Sequence, residues 1–487
     1  KRLKERHDTL KAATQIASEE AKKAIEVTKK AKAEAAKAEA ELPRLIREKQ
    51  ALEIVISELN AQKAILEREI VGLEEKLGSP REDGEDGAYA DLLKEPPRCL
   101  ERGLLPSREL PYADEEHALE EIWIGLEGAG YHFHKRVLKA FHTSLKCHDI
   151  NPLTVLAGVS GTGKTLLPAA YARLMGMHSL VIAVQPRWDS PQDMFGFYNY
   201  LEKRYKATEL ARALIRMDPF ATVEGLNEMQ KCSERMLLVL LDEMNLARTE
   251  YYFSEFLSRL ELRRLAGPSH SADDRQHAEI YLDTGPGRKP ISFWVGQNVL
   301  FAGTMNEDES TQTLSDKVID RANVLRFGRP AKSNADFHRQ DQDGKLPAPA
   351  GYLPVKKWEG WCRPVQTTGW IGKAIEWIDD LNDALTKIGR PFGHRVRRSI
   401  LTYIANYPGV DRIDYLYKEA FADQIEQKIL PKLRGLDTME GVNNAVFDDI
   451  GKVIEGTDDD TLLQAFGDAR ENNATGMFLW HGVTRQE

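Results

Sequence analysis

Three groups of residues in this 487-residue chain have the types and spacing needed for phosphate chemistry. The first is Gly158-Val159-Ser160-Gly161-Thr162-Gly163-Lys164-Thr165, which fits G-x-x-x-x-G-K-[ST]. Gly158, Gly161 and Gly163, with Ser160 and Thr162 between them, let backbone N–H groups turn inward around anionic oxygens. A helix starting at the loop adds its partial positive charge. Lys164 can reach β- and γ-phosphates, and the Thr165 hydroxyl can ligate Mg²⁺. The second group is the apolar run Met236–Leu241 ending in Asp242-Glu243. Asp242 can orient Mg²⁺ through its water shell, and Glu243 can polarise an attacking water. The third is Val299–Met305 ending in Asn306, an amide able to bond both a γ-phosphate and that water.

These residues need a scaffold that brings them to one place. Leu153–Ala157 reads as a buried strand entering the glycine loop, and Leu166–Met175 as the helix leaving it. The three apolar runs alternate with helical patterns, which predicts a parallel sheet. Ligands collect at the carboxyl ends of such strands. Hydrolysis in a ring also needs a cation placed on the γ-phosphate of a neighbouring subunit. Within Leu314–Phe327 the candidates are Arg321 and Arg326. Arg321 comes first because it should end a helix just before the next strand, with a local salt bridge as the competing account.

Residues 1–78 carry no such chemistry. Leu or Ala recurs every seven residues from Leu3 to Leu73, with a second seam from His7 to Leu77, predicting a long N-terminal coiled coil. A parallel pair and an antiparallel hairpin folding near Pro43 both fit. Residues 79–114, rich in Gly, Pro and acids, read as a linker. The chain begins with Lys1 in mid-pattern, as a fragment of a longer protein would. The four cysteines form no C-x-x-C pair, which suits a reducing, cytoplasmic setting. The His132, His134, His142 and His148 group has no metal company. A net charge of −9 excludes a whole-protein basic field, and no apolar run is long enough to span a membrane.

With these residues in place the chain resembles the AAA+ family, and within it the McrB-type motors of modification-dependent restriction systems. The resemblance rests on Leu241–Ala247, Gly303–Asn306 and Asp316–Asn323. It implies an α/β P-loop module, a parallel sheet flanked by helices, over residues 115–330. An irregular connection at 331–372 and an all-α lid at 373–435 would follow, with 436–487 unread. Asp189–Gly196 is similar to an insertion in the second helix of this branch. Glu279–Leu282 and Ile291–Trp294 look like a β-hairpin; both insertions face the ring axis in relatives. Phe392–Ile400 is similar to the lid helix that sends a second-sensor arginine to the nucleotide, with Arg395 first and Arg397 as the fallback. The resemblance further implies Mg²⁺-dependent hydrolysis of ATP or GTP in a homo-oligomeric, hexameric ring. A separate nuclease partner and a role in defence against foreign DNA come with it. MoxR-like remodelling of protein clients and a nucleotide-gated scaffold are alternatives. GTP-using relatives carry Met-Asn-x-x-Asp-Arg. Here Asp308 falls one position early and Glu309 holds its slot, which leaves the nucleotide base open.

Overall fold

A computed structural model describes residues 89–485, with breaks at 95, 222, 224–225, 227–229, 267–270, 286–289, 308–313, 329–344, 367–368 and 472–475, together with Lys49. The chain divides into two units, Lys1–Asp83 and Gly84–Glu487, and all the strands and helices named here belong to the second. The coiled-coil expectation, Asp308 and Glu309 all lie outside the described residues.

The strands are β1 (Leu153–Gly158), β2 (His178–Ala183), β3 (Gly196–Asn199), β4 (Arg204–Ala207), β5 (Leu237–Asp242), β6 (Ile280–Leu282), β7 (Ile291–Phe293), β8 (Val299–Asn306) and β9 (Ala322–Phe327). Five of them form a wholly parallel sheet in the order β2-β5-β8-β1-β9. Both faces of this sheet are covered, so its central strands read as continuous apolar runs without polar alternation. Successive side chains still go to opposite faces. Val155, Val239 and Phe301 enter one core, and Leu156, Leu240 and Leu300 enter the other.

The helices of eight or more residues, with two shorter ones, are α1 (Glu115–Gly128), α2 (Lys135–Lys146), α3 (Leu166–Leu174), α4 (Glu209–Met217), α5 (Ser254–Leu262), α6 (Asp316–Ile319), α7 (Val355–Trp361), α8 (Ile371–Thr386), α9 (His394–Asn406), α10 (Leu416–Gln424), α11 (Gly441–Gly456) and α12 (Asp460–Glu471). Helices α1, α2, α3 and α7 supply the core on one face of the sheet, and α4 and α5 the core on the other. A third core, built from α8 to α12, makes the all-α lid. Among the described residues, no helix is long and apolar enough to cross a membrane.

Three stretches differ from the sequence expectation. The linker assigned to residues 79–114 is docked where it is described: Leu92, Leu100 and Leu110 are buried. The buried Arg216 guanidinium donates to the carbonyls of Leu92, Leu93 and Lys94. Isolated leucines among Pro and Gly carry no period, so the burial is invisible in sequence. The connecting segment, read as irregular, forms the helix α7, and its Trp358 and Trp361 sit in the core beside His142, as tryptophans that anchor a segment would. The lid does not stop at residue 435. Val446, Phe447, Ile450, Phe466 and Phe478 complete its core, so the C-terminal segment is part of the lid.

Candidate active site

The glycine loop leaves β1 at the carboxyl pole of the sheet. Gly158 has φ +145°, and a Cβ there would lie 2.6 Å from the Phe327 carbonyl oxygen, so the first position admits only glycine. Ser160, Gly161, Thr162 and Gly163 follow in the turn. Thr162 Oγ1 donates to the Val159 carbonyl at 3.0 Å, and Lys164 Nζ donates to the same oxygen at 2.5 Å. Strand register places β5 and β8 beside this loop, and their last side chains meet it. Thr165 Oγ1 donates to Asp242 Oδ1 at 2.8 Å. Thr304 Oγ1 donates to the same oxygen at 2.7 Å and accepts the Glu243 backbone N–H at 2.8 Å. Asn306 Nδ2 donates to Glu243 Oε1 at 3.1 Å. Thus Thr165, Asp242, Glu243 and Asn306, drawn from three separate stretches of sequence, meet at one pole of the sheet.

Glu243 itself stands at φ +52°, ψ +46°, the left-handed region. A non-glycine residue there costs roughly 1–3 kcal/mol and turns up where geometry matters for function. The strain sends the side chain off the strand direction, toward Asn306. Thr165 and Asp242 bring an oxygen-only pair of donors together, which suits a hard cation such as Mg²⁺. No cluster of three or more His, Cys, Asp or Glu able to hold a metal occurs among the described residues.

The arginines lie elsewhere. Arg321 sits between α6 and β9, at the amino pole of the sheet. Leu153 pairs with Ala322 and Gly158 with Phe327. The strand between them spans about 16 Å at ~3.3 Å per residue. Arg321 Nε pairs with Glu261 Oε1 at 3.2 Å. Arg395, on the first turn of α9, pairs with the same carboxylate, Nη1 to Oε1 at 3.3 Å and Nη2 to Oε2 at 3.3 Å. The structure therefore brings Arg395 together with Arg321, and not with the phosphate-loop network of its own chain. Arg397 pairs with Asp379 on α8. Arg326, the second finger candidate, lies at the carboxyl pole and pairs with Glu307 at 3.1 Å, so both finger candidates make an ion pair within their own chain.

Sequence reasoning passes over Thr304, Asn245 and Glu261. Thr304 is detectable as a hydroxyl in an otherwise apolar strand. Asn245, whose Nδ2 donates to the Asn306 carbonyl at 2.8 Å, lies in the Leu241–Ala247 stretch that carries the resemblance. Glu261 gives no local signal, because only the tertiary fold brings both arginines to it.

Both segments that resemble insertions hold regular structure. A short helical turn, Gln192–Phe195, leads into the antiparallel β3–β4 hairpin, which no sequence pattern announces. Strands β6 and β7 form the second, expected hairpin. The two touch, for a Cβ on Gly285 would lie 2.6 Å from the Tyr198 ring. At the β3–β4 tip, Tyr200 is 69% exposed and Leu201 96%.

Residues 154–322 match the family model described as the AAA domain (dynein-related subfamily). Residues 359–466, most of the lid, match one described as a domain of unknown function (DUF8727). No curated protein matches the sequence. Among solved structures, the chain is similar to that of a proposed ATPase from Cytophaga hutchinsonii, at 15% identity over 63% of this chain and 86% of that one, with a TM-score of 0.38. With the strand order, the phosphate-loop network and the family match in hand, residues 154–322 are an AAA+ nucleoside triphosphatase domain of the dynein-related subfamily, followed by an all-α lid.

Proposed function

We propose that this chain is one subunit of a head-to-tail ring that hydrolyses ATP or GTP with Mg²⁺ and uses the lid and hairpins to drive a partner. The observation that carries this reading is the separation of Arg321 and Arg395 from Glu243. A side chain at the amino pole cannot reach a phosphate held at the carboxyl pole of its own sheet. A second copy, placed head to tail, presents that pole to the first copy's phosphate loop. Such heterologous contacts close into a ring, six-membered by family analogy.

In that arrangement the loop amides and Lys164 bind and orient the triphosphate. Glu243 accepts a hydrogen bond from the attacking water, and Asn306 fixes its carboxylate. Arg321 of one subunit, with Arg395 beside it, stabilises the charge that develops on the next subunit's nucleotide. Thr165 and Asp242 would hold Mg²⁺, which when bound would neutralise charge on the phosphate oxygens. Substituting Glu243 by Gln tests the hydrolytic assignment: turnover should collapse while nucleotide still binds. Unchanged turnover would refute it.

Two client classes fit this motor. The Leu241–Ala247 and Gly303–Asn306 signatures support a McrB-like motor working with a separate nuclease against foreign DNA. The exposed Tyr200-Leu201 tip favours a MoxR-like role, because an apolar tip grips polypeptide better than phosphodiester. Turnover stimulated by DNA and recovery of a nuclease in a pull-down support the first; stimulation by a protein client alone supports the second.

A further inference from the structure

A cleft of about 880 Å³ opens between the AAA+ domain and the lid, at the amino pole of the sheet. Its walls come from the residues before β1, the turn after α5, Gln297 before β8, the segment around the end of α7, and α9 along its length from His394 to Asn406. The phosphate-loop network is at the opposite pole, so this is a separate place on the molecule.

The charges lining the cleft are unevenly matched. Lys146 and Arg363 are tied to Glu115, and Arg397 to Asp379. Arg264, in the turn after α5, and Arg398, on α9, have no ion-pair or hydrogen-bond partner among the described residues, and both are exposed. They come from different elements yet face one space. Their spacing explains why they are left over. Glu261 and Arg264 are three residues apart, as are Arg395 and Arg398. The first members of the two pairs satisfy one another across the seam. The second members are two guanidiniums on the wall of one cleft with no carboxylate partner among the described residues, an arrangement that an anion would relieve.

Two further features point the same way. The amino terminus of α9, a 13-residue helix, has Gly393 at its cap position and no side-chain cap, which leaves its first-turn N–H groups without a capping acceptor, and His394 of that turn lines the cleft. Beneath them Arg263 is 4% exposed, and its Nε has no hydrogen-bond partner although its other nitrogens bond the carbonyls of His148, Val295 and Gly296. Two acids line the cleft: Asp149, which pairs with the buried Arg263 at 3.7 Å, and Glu359.

We infer that this cleft is a second phosphate site, with Arg264 and Arg398 as its two forks. Guanidinium forks and an uncapped helix start both match tetrahedral phosphate oxygens. Two sources carry that chemistry: the phosphodiester backbone of a single-stranded nucleic acid, or the triphosphate bound by a neighbouring subunit. The second source rests on the proposed ring; the first does not.

The test uses the full chain with Arg264→Gln and Arg398→Gln, singly and together. Both side chains are exposed, so thermal melting should match the unaltered protein and confirm the fold. Binding of a fluorescein-labelled oligothymidylate is followed by anisotropy against salt, and nucleotide turnover is measured without oligonucleotide. If the source is nucleic acid, each variant weakens oligothymidylate binding about tenfold and lowers the salt slope by about 0.7. If it is the neighbour's triphosphate, turnover falls about tenfold and oligothymidylate binding is unmoved. Arg321→Ala, run beside them, separates a failed ring reading from a failed second site. Variants that alter neither quantity overturn the inference, as does polyglutamate binding with equal strength and equal sensitivity to the substitutions.

Discussion

Asn306 donates its side-chain Nδ2 to Glu243 Oε1 at 3.1 Å, across two adjacent strand ends of the parallel sheet. The bond fixes the direction of the Glu243 carboxylate, which in the proposed mechanism turns its other oxygen to the attacking water. A general base in the role proposed for Glu243 contributes about 10²–10⁴-fold to rate. Glu243→Gln should therefore lower kcat by two to four orders of magnitude. Asn306→Ala should lower kcat roughly tenfold or more by freeing the carboxylate, with KM nearly unchanged, since orientation is lost and not ground-state binding. Steady-state kinetics over a nucleotide series checks both.

Gly303 leaves room for the buried Met244 side chain. A Cβ there would lie 2.3 Å from Met244 Sδ, and Met244 directly follows the strained Glu243. Gly303→Ala should cost about 1–3 kcal/mol as an overpacked core and displace Glu243. Shortening Met244 to Ala in the same chain should recover part of the turnover. Denaturant melts and kinetics on the single and double variants measure the coupling.

The acid limit of stability has a named source. Glu115 is buried, which raises its pKa, yet the His142 hydrogen bond and the Lys146 charge outweigh burial and hold the carboxyl at about 2. The unfolded chain therefore binds more protons between about 4.5 and about 2, so this stabilisation is full above that window and fades as pH falls through it. Burial also lowers the pKa of His142, so its contribution weakens as pH drops below 6.5. Glu115→Gln leaves Lys146 buried without its partner and should cost roughly 3–5 kcal/mol near neutrality. The gap from the unaltered protein should close between pH 4.5 and 2, as measured by denaturant melts across pH.

A buried lysine joins the lid to the arginine-bearing turn. Lys428, 1% exposed, donates to Asn151 Oδ1 at 3.4 Å, to the Ile319 carbonyl at 3.3 Å and to the Ala322 carbonyl. Burial pushes its pKa down to about 7, so the unfolded chain binds the extra proton between about 7 and 10.5 and stability rises with pH across that window. Lys428→Met should remove this rise. It should also leave the two carbonyls unpaired, at a cost of about 1–3 kcal/mol. Denaturant melts from pH 7 to 10.5 on both chains read the slope and the offset.

Much of the site is legible in sequence because its chemistry is local. The Gly158–Thr165 loop, the carboxylates after β5 and Asn306 at the end of β8 each carry their own pattern, and parallel pairing brings them together. The lid's full extent is not legible: Val446, Phe447 and Phe478 are ordinary helix and loop residues until they join Trp377 and Phe421 in one core. Arg395 illustrates the limit best. Its helix is readable from Phe392–Ile400, but its partner Glu261 is set by how α9 packs on the AAA+ domain, which no local spacing encodes.

The central claim is that Glu243 and Arg321 act at one nucleotide from two different subunits. Mixing purified Glu243→Gln and Arg321→Ala chains and measuring nucleotide turnover tests it. Each variant alone should be nearly inactive. At a one-to-one ratio about one interface in four pairs an intact Glu243 with an intact Arg321 in a head-to-tail ring, so turnover should recover to roughly a quarter of the unaltered level. Turnover that stays at the level of the separate variants would contradict the account.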